Sequence, residues 1–255
     1  MSLRREFLRK AFLGSAAAIV APTISSAEFS QRQKFPEKEA TGYTILFQGD
    51  SITDGNRTRN TDWNHVMGHG FAYLIASRLW FDDPERKFQF FNRGVSGNKI
   101  TDLAARWQAD TIDLKPDLIN ILAGINDTEA AVKGNKEQTL KQFESDYRAL
   151  LERTKKELPE IQIVLGIPFI LPVGRVKDKL EIYQNELKPR QEIVRKLAKE
   201  FSAIEIDFQA EFDHALTKAP ADYWIWDGIH PMPAGHELMA RVWIKEVHRN
   251  IKFIK

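Results

Sequence analysis

Tyr43-Thr44-Ile45-Leu46-Phe47-Gln48-Gly49-Asp50-Ser51-Ile52-Thr53-Asp54 begins as a short apolar run and ends in a glycine followed by carboxylate and hydroxyl side chains. Such a run reads as a buried strand that breaks into a turn. Four more runs of this kind follow, at 88–91, 118–123, 161–166 and 203–208, each rich in Ile, Leu or Phe and each followed by Gly, Asn, Asp or Pro. Between and after them lie segments with helical spacing, at 69–81, 101–112, 138–158, 180–201 and 233–250. In the last, Leu238, Val242, Trp243 and Val247 share one side. Parallel strands need long right-handed crossovers, so this alternation predicts a five-stranded parallel sheet with helices on both faces, a three-layer α/β/α domain. Open sheets of this type gather ligands at the carboxyl ends of their strands. Ser51, Gly94 and Asn126 each follow a predicted strand, so the topology carries all three to one rim.

The polar residues at those ends fall in four segments: Gly49-Asp50-Ser51-Ile52-Thr53, Asn92-Arg93-Gly94-Val95-Ser96-Gly97-Asn98, Gly124-Ile125-Asn126-Asp127 and Asp227-Gly228-Ile229-His230-Pro231. Each segment alone is ordinary turn or cap chemistry. Together they hold the parts for ester cleavage. A serine hydroxyl is a poor nucleophile until a base takes its proton, and His230 is the candidate base for Ser51. Asp227, three positions before His230 in a turn bounded by Gly228 and Pro231, is placed to orient that imidazole.

In this order the segments resemble the blocks of the SGNH hydrolases, also called the GDSL lipase and acylhydrolase family. Ile52 stands where the eponymous Leu is usual, an exchange of similar apolar side chains. The resemblance runs from about Tyr43 to about Lys252. It implies the flavodoxin-like strand order 2-1-3-4-5 and a Ser51-His230-Asp227 triad. It also implies an oxyanion hole made by the backbone N–H groups of Ser51 and Gly94 and the side-chain amide of Asn126. Gly94 has a plainer reading as a turn glycine, and Asn126 as a helix cap.

The words around the motifs are similar to those of acetylxylan and acetyl-xylooligosaccharide esterases within that superfamily: Gly49-Asp50-Ser51-Ile52-Thr53-Asp54, Gly68-His69-Gly70-Phe71, Asp102-Leu103-Ala104-Ala105-Arg106-Trp107 and Ile225-Trp226-Asp227. This implies a small acetylated sugar or oligosaccharide as substrate, with no metal and no organic cofactor. Trp226 and Trp63, and also Trp224, are candidate platforms for a pyranose face. Two alternatives stand beside this reading. One is a lysophospholipase, thioesterase or arylesterase of the same mechanism. The other is an exported sugar-binding protein without catalysis, which the presence of Ser51, Asn126, Asp227 and His230 disfavours.

Other histidines form no convincing metal set. His65 and His69 are four apart, but Gly68 and Gly70 disfavour a helix there, and His236 reads as a packed or exposed residue of the last helix. Asp50 and Asp127 read as loop-fixing neighbours of the active positions.

Residues 1–27 read as an export signal: a basic start through Lys10, an apolar stretch from Ala11 to Ala21, and small residues before a cleavage point after Ala27. Arg4-Arg5-Glu6-Phe7-Leu8-Arg9-Lys10 resembles a twin-arginine motif, with Leu3 and Arg9 as departures. The apolar stretch is short for a bilayer span, so the expectation is a periplasmic or secreted protein without stable membrane insertion. Residues 28–40 read as a loose leader and 41–255 as one domain. The 255-residue chain carries 37 Lys and Arg against 35 Asp and Glu; the export signal holds Arg4, Arg5, Arg9, Lys10 and Glu6, leaving 33 basic and 34 acidic residues after its removal. A nearly neutral chain without a dense basic run is not that of a nucleic-acid binder. The absence of Cys excludes disulfides, thiolate metal sites and a Cys nucleophile. A closed homo-oligomer is the general default for such enzymes.

Overall fold

The stretch beginning at Tyr43 forms a strand, β1 (Thr44–Gly49), and breaks at Asp50 into a one-turn helix, α1 (Ser51–Asp54). The structure is a computed structural model and describes residues 42–60, 64–135 and 139–254. The export signal and leader read from the sequence, and Trp63, lie outside the described residues. After α1 come α2 (Phe71–Asp82), β2 (Gln89–Asn92), α3 (Ile100–Trp107), β3 (Leu118–Leu122), α4 (Ile125–Val132), α5 (Leu140–Glu157) and β4 (Gln162–Gly166). They are followed by α6 (Gly174–Lys177), α7 (Leu180–Glu200), β5 (Ile204–Ile206), α8 (Phe208–Ala215), α9 (Ala221–Trp224) and α10 (Pro233–Asn250).

The five strands are all parallel, in the order β2-β1-β3-β4-β5. The expected three-layer fold and 2-1-3-4-5 order are therefore present. Strand alternation divides the core in two. Ile45 and Phe47 of β1 join one cluster with Phe71 and Ile75 of α2, Phe208 and Phe212 of α8, and Met239 and Trp243 of α10. Leu46 faces the other, with Ile119 and Ile121 of β3, Leu103 of α3, Tyr147 and Leu151 of α5, and Val194 of α7. Each aliphatic or aromatic side chain so enclosed contributes roughly 1.5–3 kcal/mol relative to exposure.

Two polar strand residues, Gln48 and Asn120, lie fully inside, and each is met by the helices at one end of its amide, while Gln48 Oε1 and Asn120 Nδ2 have no partner. Trp243 Nε1 donates to Asn120 Oδ1 at 3.0 Å, while Gln48 Nε2 donates to the Asp110 carbonyl and to Thr111 Oγ1, each at 2.9 Å. The second pair explains a departure from the expected helix at 101–112. The regular helix stops at Trp107 and the last turn, Gln108–Ile112, is widened to the π type. The widened turn presents its carbonyl and hydroxyl to Gln48, a buried amide that otherwise lacks those acceptors. Helices α4 and α8, eight residues each, were not expected from the sequence.

Three chain crossings end at the same rim. Gly49 sits where β1 leaves the sheet, and a Cβ there would lie 2.3 Å from the Leu122 carbonyl of β3, so only glycine lets the two strand ends meet. The loops after β1, β2 and β3 consequently lie side by side, bringing Ser51, the 92–98 segment and Asn126 together.

Candidate active site

Ser51 is the first residue of α1. Asp50, fully buried, caps that helix by accepting the Ile52 N–H through Oδ1 at 3.0 Å. The cap turns the Ser51 hydroxyl outward, where Oγ lies 2.8 Å from His230 Nε2 across 179 positions of sequence. On the far side of the ring, His230 Nδ1 is 2.8 Å from Asp227 Oδ2. Burial raises the Asp227 pKa, but hydrogen bonds from the His230 ring and from the His230 and Ile229 N–H groups outweigh it and hold the carboxyl below the ordinary carboxylate range. An ionised carboxylate only accepts, so Nδ1 carries the imidazole proton and Nε2 is left to accept from Ser51. Hydroxyl, imidazole and carboxylate thus stand in the order that general-base activation of an alcohol requires.

The turn holding Asp227 and His230 is closed on itself. Ile225 bridges Pro231, and Trp226 N–H donates to the His230 carbonyl at 3.1 Å. Trp226 is 60% exposed, with its ring 6.0 Å from the His230 ring and inclined by 24°. An open aromatic face therefore lies beside the His230 ring. Trp224 instead packs against the core and donates Nε1 to the Ala219 carbonyl.

The donors expected for an oxyanion hole are not all open. Gly94 is buried, and its N–H donates to Asn92 Oδ1 at 2.9 Å, so it is not open to a ligand. Its glycine identity has a packing cause: a Cβ would lie 2.3 Å from the Asp54 nitrogen. In the same segment Gly97 is exposed, has φ +84° with open space around its Cβ position, and its N–H has no hydrogen-bond partner. The Ser51 N–H likewise has none. Asn126 Nδ2 spends one proton on the Asn98 carbonyl at 3.1 Å, which leaves the other free and fixes the Gly97-Asn98 turn against it. The three open donors on this rim are therefore Ser51 N, Gly97 N and Asn126 Nδ2. The positive φ and exposure of Gly97 have no sequence signal that separates it from Gly94.

Several charged residues fix this wall. Arg106 donates to Asn98 Oδ1, the Arg93 carbonyl and Asp110 Oδ2 at 2.7–2.8 Å, binding both ends of the 93–98 segment to α3. Asp54 Oδ2 accepts the Ser96 N–H at 3.1 Å and pairs with Arg59 at 2.6 Å, while Arg57 Nε donates to the Gly94 carbonyl at 3.0 Å. His236 Nδ1 accepts the Phe71 N–H at 3.2 Å, and burial, helped by the nearby His69 and His230, pushes its pKa down to about 4. It is a neutral cap on α2. Asp50 and Asp127 are raised to about 7 and about 6, mainly by burial, and each keeps one carboxyl oxygen, Oδ2, without a partner. Among the described residues no group of three or more His, Cys, Asp or Glu side chains is placed to hold a metal ion, and no helix is long and apolar enough to cross a membrane. A cavity of about 770 Å³ lies along β2, between Arg57, Trp80 and Phe90, and includes none of Ser51, Asp227 and His230.

A model of the GDSL-like lipase and acylhydrolase family matches residues 47–238, a span that contains all four motif segments. The chain belongs to that family. Among GDSL relatives, an acetylxylan esterase from Geobacillus stearothermophilus is 32% identical over 217 residues, covering 82% of this chain and 96% of its own. A crystal structure of an acetylxylan esterase from that organism superposes with a TM-score of 0.71 at 31% identity, over 84% of this chain and 97% of its own. Solved forms of it include two described as catalytic mutants, one replacing an Asp and one a Ser by Ala. A protein from Parabacteroides merdae, a GDSL-like lipase by name, gives a TM-score of 0.77 at 38% identity, over 81% of this chain and 95% of its own. This GDSL chain is thus an esterase, a carboxylic ester hydrolase.

Proposed function

We propose that the protein removes acetyl groups from O-acetylated carbohydrates, xylo-oligosaccharides or related sugars, by a Ser-His-Asp mechanism. The observation that carries the chemistry is the pair of 2.8 Å hydrogen bonds from Ser51 Oγ to His230 Nε2 and from His230 Nδ1 to Asp227 Oδ2. In this reading Ser51 Oγ attacks the acetyl carbonyl carbon while its proton passes to His230 Nε2. The carbonyl oxygen takes the electron pair and meets Ser51 N–H, Gly97 N–H and the free Asn126 proton, donors already in place before charge develops. Collapse breaks the bond to the sugar oxygen, which takes the proton from Nε2 and leaves as an alcohol. Water then repeats the sequence on the acetyl-serine and releases acetate.

The substrate class rests on the acetylxylan esterase relatives and on Trp226, an exposed ring beside the base on which a pyranose can lie. The export signal read at 1–27 fits a reaction carried out after export.

The test is acetate release from acetylated xylo-oligosaccharides by residues 28–255, beside Ser51→Ala and an aryl ester series from acetyl to octanoyl. The expected result is sugar deacetylation that Ser51→Ala abolishes, with little octanoyl turnover. Inert sugars with preferred long acyl chains overturn the substrate reading. Activity above a few per cent in Ser51→Ala overturns the nucleophile.

A further inference from the structure

We propose that Arg175 is a positioning residue of this esterase: a cation clamped between Glu129 and Asp227 that limits how readily His230 takes up a proton. The inference rests on the reading of His230 as the base.

Arg175 lies in the one-turn helix α6, and no motif of the sequence marks it. Its backbone N–H donates to the Asp227 carbonyl at 3.1 Å. Its two terminal nitrogens reach different carboxylates, Nη1 to Glu129 Oε1 at 3.2 Å and Nη2 to Asp227 Oδ2 at 2.9 Å. Glu129 is almost fully buried and its Oε1 also accepts the Tyr183 hydroxyl of α7 at 2.9 Å. Glu129 belongs to α4, three residues after Asn126, so the two share a side of that helix. The chain Tyr183, Glu129, Arg175, Asp227 therefore ties the helix bearing an open rim donor to the turn bearing the base.

Exposed ion pairs of this kind contribute little to stability, and Arg175 is nearly half exposed. The difference here is that both carboxylates are largely buried, so removing Arg175 takes away the cation they share. Arg175 also acts on His230 directly. Nη2 and Nδ1 are 3.4 Å apart, and both point their protons at the same Asp227 oxygen. Two donors sharing one acceptor repel, and the repulsion grows when the ring gains its second proton.

The other charged or titratable groups around His230 are Ser51 and the buried Asp50 at the end of β1, Glu129 of α4, Tyr183 of α7, and His69 and His236 on the side of α2 and α10. Arg175 is the one cation in hydrogen-bonding contact with Asp227 among the described residues.

The experiment compares wild type, Arg175→Met, Arg175→Lys and Ser51→Ala, with kcat and kcat/KM for an aryl acetate measured from pH 5 to 9 and a thermal melt of each. The acid limb of kcat/KM reports protonation of the free base. With the cation gone, Arg175→Met is expected to move that limb upward by about 0.5–1 pH unit. Arg175→Lys keeps the charge and so keeps the limb. It cannot span both carboxylates as a planar fork does, and is expected to lose roughly threefold to tenfold in plateau kcat. If Arg175→Met melts early, Arg175→Gln repeats the neutral arm while keeping a donor for Asp227. An unmoved limb in the neutral variants, or an equal shift in the Lys variant, overturns the role of Arg175. Turnover that survives Ser51→Ala overturns the reading of the whole site instead.

Discussion

Replacing Asn92 by Ala tests whether the wall opposite Ser51 is held as described. Asn92 is 2% exposed at the end of β2, and its Nδ2 lies 2.7 Å from the Thr53 carbonyl, 2.9 Å from that of Met67 and 3.2 Å from that of Asp54. Its Oδ1 accepts the Gly94 N–H. Truncation leaves the Thr53 and Met67 carbonyls and the Gly94 N–H short of a partner, while the Asp54 carbonyl keeps the Arg57 N–H. At about 1 kcal/mol for each buried group, the loss is about 3 kcal/mol. A chain of this size loses roughly 2–4 °C of melting temperature per kcal/mol, so a fall of about 10 °C is expected. Urea and thermal denaturation of wild type and Asn92→Ala read this directly, and activity per folded molecule is measured on the same samples. A loss below about 1 kcal/mol would refute the reasoning, because those three groups would then have found other partners. The activity arm is independent. The substitution frees the Gly94 N–H while unpinning the segment that carries Gly97, so kcat is expected to fall. A kcat equal to or above wild type would return the donor role to Gly94.

Trp226→Ala removes an aromatic face without touching the His230-Asp227 hydrogen bond, so KM for acetylated xylo-oligosaccharides is expected to rise roughly tenfold with aryl acetate kinetics little changed; equal effects on both substrates would mean the ring supports His230 rather than sugar. Asp127 has a folded pKa of about 6 against an ordinary 3.8, so the stability it contributes is whole below about pH 4 and is lost as pH rises through about 6. Asp127→Asn is expected to flatten that slope, gaining about 3 kcal/mol on wild type between pH 4 and pH 7 in urea titrations. Parallel slopes would show that burial is not what raises the carboxyl.

The fold was legible because its strands are nearly pure runs of Ile, Leu, Val and Phe closed by turn residues, and because the long amphipathic helices α5, α7 and α10 repeat the helical period over four or more turns. Helices α4 and α8 escaped since two turns give the period too little length. The ends at 107–112 escaped because a buried Gln48, far away in sequence, sets the pitch there. Ser51, His230 and Asp227 are joined by hydrogen bonds and Asn126 is bonded to the 92–98 segment, and each of them sits in a short motif that stands out in the sequence. That the Gly94 N–H is taken is not legible, because the segment holds two glycines and it is the rotamer of Asn92 that occupies the Gly94 N–H. Arg175, Glu129 and Tyr183 had no signal at all. Their ion pairs and hydrogen bonds join α4, α6, α7 and the Asp227 turn, and no spacing along the chain announces them.

Asp227 and His230 sit in one self-closed turn, whereas Ser51 is 179 residues away on the opposite side of the sheet's connectivity. The carboxylate and the imidazole can therefore meet early in folding, as a local event with little loop to close. The hydroxyl joins them only after β1 has docked between β2 and β3 and α10 has packed against α2, contacts of large sequence separation that form slowly. Under the proposed mechanism, turnover in a refolding experiment is consequently a late clock: the pair that would move the proton can assemble first, and ester cleavage waits until the segment around Ser51 has reached it.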